Sequence, residues 1–348
     1  MDQGFITLPH GFEKVISQVQ EQGWLITNLE GRDEDIHNPA AYIFNNKLNK
    51  TKYKVILDRN IFRFIVSAYS TKEPKQKHRA AISLICFCRA SEICFEPNLA
   101  LYERLLPKRL LVDQAIEELL LFYKIDNGDD DSLLRFSIGE SDHFEIFNGY
   151  ITDKERIKKD LTKTEWLTDW RSLYLVLLKL LQYYFCSLSR KEKILKFIEW
   201  TVKYFRLSFV CINFAIFLFS SNRIKNMMKF KVASSPEEKI NQIYNMTWDL
   251  FFMNHYFKEL REKTENEELM VATDDKVIRF LLKVGIGVQQ EQSFEYFKKY
   301  LPLKEHCWID DLQNIIKSAK DRVYDTPKWS MDYRNELIKE EEKKTLAL

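Results

Sequence analysis

Two polar residues, Asp58 and Asn60, follow a short apolar run in the stretch "YKVILDRNIF". The run is rich in β-branched and aliphatic side chains, which is typical of a strand buried on both faces. Asp58 would then lie at the carboxyl end of this strand, and open parallel α/β sheets hold ligands and metals at that edge. The position favours a chemical role for Asp58, although a carboxylate there also serves as an N-cap for the following helix.

A second strand end carries acidic residues. The stretch "LMVATDD" predicts a short strand that is followed by Thr273, Asp274 and Asp275. Because neighbouring side chains at an extended strand end point to opposite sides, only one of the two aspartates is expected to face a site. We favour Asp275 for that position.

Two further acids, Glu103 and Asp249, fall in predicted helices. Glu103 lies in "NLALYERLL", the helix that follows a third short strand, "EICFEP". Asp249 lies among large apolar side chains in "MTWDLFFMN". A carboxylate in such surroundings must be paired, hydrogen-bonded or bound to a metal. Two partners remain open for Asp249: a lysine or arginine of the preceding basic segment, or a divalent cation.

The order and context of these motifs resemble the acidic motifs of the PIN-domain nucleases, over residues 53–110 and 237–290. The resemblance implies a three-layer α/β/α sandwich around a small parallel sheet, here helix-dominated and enlarged by an all-α insertion. It also implies hydrolysis of phosphodiester bonds, usually in RNA, with Mg²⁺ or Mn²⁺ held by the acids. In this sequence the implied catalytic and metal-binding residues are Asp58, Glu103, Asp249 and Asp275, supported by Asn60, Thr273 and Asp274.

Such a cluster has a physical basis. Several converging carboxylates repel one another and are stable together only around a hard cation, and Mg²⁺ keeps several of its waters. The cation lowers the pKa of a bound water and stabilises the leaving oxygen, so a nucleophilic side chain is not required. The sequence accordingly predicts a metal-dependent endonuclease, with RNA or single-stranded nucleic acid as the favoured substrate.

The rest of the chain predicts four regions. Residues 51–126 and 237–292 form the PIN-like core, and residues 1–50 form an N-terminal extension packed on it. Residues 127–236 form a basic helical insertion, and residues 293–348 form a helical tail whose charged end is expected to be solvated.

Charge and composition limit how nucleic acid could be bound. The chain has 348 residues, 45% of them hydrophobic, which is ample for a core, and its formal net charge is only +2. Affinity for nucleic acid must therefore come from local patches. The two candidates are residues 151–231, with 17 basic and seven acidic residues, and the loop that contains Lys72, Lys75, Lys77 and Arg79.

The apolar and cysteine patterns indicate a cytoplasmic protein without a membrane segment. The most hydrophobic stretch, Leu207–Phe219, is shorter than the roughly 20 residues of a membrane span, so we expect a buried helix there. The six cysteines form no CxxC pair, and we expect them to be reduced. By resemblance alone, the nuclease is expected to be a toxin or defence effector restrained by a regulatory protein at the insertion or the tail.

Two other functions stay open. A haloacid-dehalogenase-like phosphatase also has an aspartate at the end of its first strand, but its second aspartate would stand where this chain has Asn60. A helical interaction protein with a degenerate, non-catalytic α/β core would leave the acids of the different motifs apart.

Overall fold

The computed structural model describes residues 7–28, 36–105, 112–149, 153–161, 163, 167–222, 224–318 and 330–348. These residues form two compact units, and each unit is built from two separate parts of the chain. The first unit takes its described residues from Met1–Lys163 and Tyr256–Arg279. The second unit takes its described residues from Thr164–His255 and Phe280–Leu348.

The first unit contains a four-stranded sheet in the order β1-β4-β2-β3. Its strands are β1 (Leu25–Thr27), β2 (Lys52–Leu57), β3 (Ile93–Glu96) and β4 (Glu267–Ala272). The three strands expected from the sequence are confirmed as β2, β3 and β4, and they are parallel to one another. The expectation of a purely parallel sheet is wrong, because β1 pairs with β4 in the antiparallel direction. The N-terminal segment therefore contributes a strand of its own.

Eight helices of the described chain belong wholly to the first unit. They are α1 (Phe12–Gln22), α2 (Pro39–Asn49), α3 (Arg59–Ser70), α4 (Gln76–Ala90), α5 (Asn98–Leu105), α6 (Val112–Asp126), α7 (Asp130–Ser137) and α8 (Lys154–Leu161). Helix α3 packs against α4, α5 and α6. It does so because Ile61, Ile65 and Ala68 recur at helical spacing and are buried on one face. The core is completed by β2, in which Val55 and Leu57 are fully buried.

The second unit is helical throughout its described residues. It contains α9 (Leu167–Phe185), α10 (Arg190–Tyr204), α11 (Phe209–Phe219), α14 (His306–Lys317), α15 (Met331–Leu346) and two 3₁₀ segments, Phe294–Tyr300 and Leu303–Glu305. Helices α12 (Pro236–Glu262) and α13 (Lys276–Gln290) each begin in one unit and end in the other. Every residue of α11 except Phe209 is buried, which confirms the buried helix expected there. Among the described helices, none is both long and apolar enough to cross a membrane.

The charged C-terminal end is docked, and the expectation that it is solvated is wrong. Helix α15 packs along α9. Glu341 is only 3% exposed and accepts hydrogen bonds from Lys179 (3.1 Å) and Gln182 (2.8 Å). Thr345 is fully buried and donates to the carbonyl of Leu178. Buried polar pairs fix this helix although its sequence is rich in Lys and Glu.

The boundaries of the two units differ from those of the four regions predicted from the sequence. Helices α7 and α8, which fall within the expected insertion, belong to the first unit, where α7 packs on α1 and α4 and α8 packs on α6. The described residues of 293–348 belong to the second unit with α9–α11. The molecule is thus a mostly helical α/β protein with a small mixed sheet.

Candidate active site

The carboxyl ends of the parallel strands bring Asp58 and Thr273 together. In the register of β2 and β4, Leu57 lies beside Ala272, so Asp58 and Thr273 are the next residues on neighbouring strands. The backbone fixes both positions. The amide of Asp58 donates to the carbonyl of Ala272 (2.9 Å), and the amide of Thr273 donates to the carbonyl of Trp24 (3.1 Å).

Thr273 links the two acidic motifs through its hydroxyl group. Its Oγ1 donates to Oδ2 of Asp58 (2.7 Å) and accepts from the backbone amide of Asp275 (3.1 Å). Thr273 is fully buried, and Asp58 is 8% exposed. The hydroxyl therefore holds Asp58 and the start of the segment after β4 in one arrangement.

Asp58 has a raised pKa. Burial is the main cause, and the hydrogen bond from Thr273 acts in the lowering direction. The charge of Asp275 raises the pKa further, whereas the nearby amides of Arg59 and Asn60 lower it. Within the part of the chain that the structure describes, no lysine or arginine forms an ion pair with Asp58. The Asp58 carboxyl group is thus buried near a second acid and, among the described residues, is not paired with a basic side chain.

The two aspartates after β4 have different partners. Asp275 accepts from the amides of Val277 (2.7 Å) and Ile278 (3.2 Å) and so caps the first turn of α13. Asp274 accepts from the indole of Trp24 (3.1 Å) and forms an ion pair with Lys77. The residue that interacts with Asp58 is therefore Asp275, while the charge of Asp274 is compensated by a lysine.

Glu103 lies in α5, the helix that follows β3. Helix α5 follows β3, which is parallel to β2, and it packs on both β2 and α3. Its first turn is fastened by Arg59, which donates to the carbonyl of Ala100 (3.4 Å). Glu103 is half-buried in this helix. Asn60, expected to support the site, is exposed in the first turn of α3.

Asp249 has a basic partner. It lies in the part of α12 that belongs to the second unit, and its Oδ2 accepts from the ammonium group of Lys229 (2.5 Å). The side chain is about a quarter exposed. Of the two partners that the sequence leaves open, the structure shows the lysine of the basic segment.

The expected set of four metal-binding acids is not assembled. Among the described residues, no group of three or more His, Cys, Asp or Glu side chains is placed to hold a metal ion. The members that are brought together are Asp58 and Asp275, through Thr273. Asp249 forms an ion pair with Lys229. For Glu103, the structure shows only that its helix, α5, packs on β2 and α3.

The expected basic loop ends before Lys77 and Arg79, which lie at the start of α4 and make structural contacts. Arg79 donates to the carbonyls of Phe136 (2.7 Å) and Ser141 (2.9 Å) and pairs with Asp142, so it fastens the segment after α7. Lys77 is held by Asp274 and lies 5.1 Å above the ring of Phe64. The other two candidates for nucleic-acid contact, Lys72 and Lys75, are exposed.

The sequence interpretation missed the contribution of Trp24. This residue precedes β1, supplies a carbonyl to Thr273 and an indole N–H to Asp274, and is 2% exposed. The segment gave no strand signal, because β1 is only three residues long. Its pairing with β4 depends on a tertiary contact between residues about 250 positions apart.

Comparison with known proteins adds no relative: the chain matches no protein-family model, and no curated protein or solved structure is significantly similar to it.

Proposed function

We propose that this protein is a metal-dependent nuclease that hydrolyses phosphodiester bonds in RNA or single-stranded nucleic acid. The observation that carries the proposal is the buried Asp58 carboxylate beside Asp275, at the carboxyl edge of two parallel strands. Its charge is not matched by an ion pair among the described residues. A hard divalent cation would compensate it, which is the role expected from the motif order.

The donor set fits Mg²⁺ or Mn²⁺ with two protein carboxylates. Mg²⁺ keeps several waters and often binds through one or two carboxylates together with substrate phosphates. Asp58 and Asp275 would hold the ion, and Glu103 remains the expected third ligand on the adjacent helix. When bound, the ion would supply a water of lowered pKa and a positive charge near the leaving oxygen.

The protein groups around this pair would position it. Thr273 holds one oxygen of Asp58 by donation, and the amides of α13 hold one oxygen of Asp275. The carboxylates are thereby oriented before a ligand arrives, which lowers the reorganisation that catalysis needs. Asp249 has no part in this two-acid proposal, since Lys229 neutralises it. A three-layer PIN-like arrangement belongs to the same proposal.

A non-catalytic interaction protein is the second candidate. It is favoured by the observation that Asp249 and Asp274 each have a lysine partner and that Asp275 caps a helix. These contacts are ordinary structural uses of carboxylates. Under this reading the charge of Asp58 is a cost that the fold tolerates.

The deciding experiment compares the wild-type protein with Asp58→Asn on labelled RNA and DNA, in Mn²⁺ and in EDTA. The proposal expects cleavage by the wild type in Mn²⁺ only, and a loss on the order of 100-fold in the variant, since a charge aimed at the reacting centre is removed. Asp274→Asn is the matched control, because that carboxylate is engaged by Lys77 and Trp24. Equal cleavage by the wild type and Asp58→Asn would identify a contaminating nuclease and would refute the assignment.

The biological setting belongs to the same proposal and has the resemblance as its only support. A nuclease of this kind in the cytoplasm would act as a toxin or defence effector, and a regulatory protein would restrain it. Copurification of an inhibitory partner with the intact chain would support this setting.

A further inference from the structure

A pocket of about 420 Å³ lies in the first unit along α3. Its charged lining consists of Arg59 and Arg63 from α3, Arg104 from α5 and Glu118 from α6. Three guanidinium groups face one carboxylate, so the charged lining has an excess of two positive charges. Apart from the backbone amide of Arg59, which lies near Asp58, these residues are separate from the Asp58–Thr273–Asp275 arrangement.

The two arginines of α3 are available to a ligand. Arg59 and Arg63 are four positions apart and therefore lie on the same face of the helix. Among the described residues, neither forms an ion pair. Arg59 uses one donor on the carbonyl of Ala100, and Arg63 lies 5.9 Å from the centre of the Phe64 ring. Because a guanidinium group has five N–H donors, most of their hydrogen-bonding capacity remains.

The third arginine, Arg104, is held in place by two side chains of α6. Arg104 donates to the carboxylate of Glu118 and to the amide oxygen of Gln114 (3.0 Å). Burial lowers the pKa of Arg104, and the nearby charge of Arg59 lowers it further. Arg59 and Arg104 therefore repel each other across the pocket, and an anion between them would relieve this repulsion.

We propose that Arg59, Arg63 and Arg104 bind a phosphate group of a nucleic-acid strand. Guanidinium groups suit phosphate because their planar donors bind its oxygens in pairs. The inference rests on the proposed nuclease function and gives it a substrate subsite: Arg59 directly follows Asp58, so the arginine face begins beside the acidic edge. It continues along α3 by about 6 Å to Arg63, at about 1.5 Å per residue.

The test measures binding without cleavage. Ten-nucleotide RNA strands, labelled at the 3′ end and carrying either a 5′-phosphate or a 5′-hydroxyl, are titrated with the full chain in EDTA, and fluorescence anisotropy gives the Kd. Arg63→Glu is the principal variant, because Arg63 is exposed and unpaired among the described residues. Arg135→Glu is the matched control: this arginine is exposed in α7 of the same unit and does not line the pocket. Arg63→Gln removes the charge without reversing it.

The expected result is a Kd for RNA that rises about tenfold in Arg63→Glu, which corresponds to about 1.4 kcal/mol. It should rise less in Arg63→Gln and change less than about twofold in Arg135→Glu. The dependence of log K on log salt should become shallower by about one in Arg63→Gln, as for the loss of one phosphate contact. A 5′-phosphate preference that Arg63→Glu abolishes would identify a terminal phosphate as the ligand; equal losses for both strands would identify an internal phosphodiester.

Two results would overturn the subsite: wild-type affinity in both Arg63 variants, or an equal loss in Arg135→Glu, which would indicate a general charge effect. Unchanged melting temperatures of the variants show that folding does not cause the loss. Failure of the nuclease assignment is seen separately, because Asp58→Asn decides cleavage in Mn²⁺ while the binding assay contains EDTA. RNA binding that depends on Arg63 without any Asp58-dependent cleavage would retain the phosphate site and discard the nuclease.

Discussion

Acidic side chains in the two units are stabilised in different ways. In the second unit, Glu341 lies against Lys179 and Asp249 against Lys229, so the chain itself supplies the compensating charge. In the first unit, Asp58 is buried beside Asp275 and is held by a neutral hydroxyl. The first arrangement contains its own countercharge, whereas among the described residues the second gives Asp58 no ion pair.

The pKa values reflect this difference. Burial raises the pKa of Glu341, but the hydrogen bonds from Gln182 and Lys179 outweigh burial and the net shift is downward. For Asp58 burial is again the largest cause, and the hydrogen bond from Thr273 does not outweigh it, so the net shift is upward. An apolar environment therefore does not by itself distinguish a structural carboxylate from a candidate ligand. The distinction depends on whether the hydrogen-bond donor is a charged side chain, as at Glu341, or a neutral hydroxyl group, as at Asp58.

The largest expected effect on stability concerns Glu341, whose charge is compensated by Lys179. Glu341→Ala should lower the free energy of unfolding by about 3 kcal/mol, because it leaves the largely buried Lys179 without its carboxylate. The contribution of Glu341 is present above the unfolded pKa of 4.5 and is lost as the pH falls through the lower folded value. Urea unfolding at neutral and acidic pH measures the loss of stability and its dependence on pH. Glu336→Ala, at an exposed position of α15, is the control and should change the stability by less than about 0.5 kcal/mol; an equal loss there would contradict the assigned role of the buried pair.

Metal binding should stabilise the first unit, where Asp58 has no ion pair among the described residues. At free Mn²⁺ about 100 times the Kd, a single site adds about 2.7 kcal/mol to the free energy of unfolding. The wild type should therefore melt at a higher temperature in Mn²⁺ than in EDTA, and Asp58→Asn should show no such increase. Asp249→Asn sharpens the comparison, since the four-acid set expected by resemblance predicts that it loses the increase, whereas the two-acid site predicts that it keeps it. Equal shifts in the wild type and Asp58→Asn would contradict a site at Asp58.

Without metal, Asp58 should make stability depend on pH in the direction opposite to Glu341. Its folded pKa lies above the unfolded value of 3.8, so between these values the folded state binds more protons. Stability is then lost as the pH rises through this window, and the penalty persists at higher pH. In EDTA, the stability of Asp58→Asn minus that of the wild type should be larger at pH 7 than at pH 4. If the difference in melting temperature between Asp58→Asn and the wild type did not change with pH, folding would not raise the pKa of Asp58.

Local sequence signals predicted the part of the site that depends on strand ends. The apolar runs before Asp58 and Thr273 are short and bounded by polar residues, and both strands end where the acids begin. The alternation of an extended chain separated Asp274 from Asp275, and the two have different partners in the structure. These features are local, so residue order is enough to predict them.

Long-range features could not be predicted in the same way. Lys229 is 20 positions from Asp249, and Lys77 is 197 positions from Asp274, so nothing local indicates either pair. The docking of α15 depends on buried partners in α9 that its charged composition conceals. The Arg59 and Arg63 spacing was visible in "DRNIFRF", but its meaning required Arg104 from another helix.

The smallest expected effect concerns the ion pair of Lys229 and Asp249 in the second unit. Lys229 and Asp249 are each about one-quarter to one-third exposed, and pairs of this kind contribute about 0.2 to 1 kcal/mol. Lys229→Ala should accordingly lower the free energy of unfolding by about 0.5 kcal/mol, and the loss should shrink at high salt, where partly exposed charges are screened. Urea unfolding in low and high salt measures this, with Lys231→Ala, at an exposed position two residues further on, as the control. If Lys229→Ala instead made the protein gain stability from Mn²⁺ through Asp249, the lysine would be occupying a cation site, and the distinction between the two kinds of acid would fail.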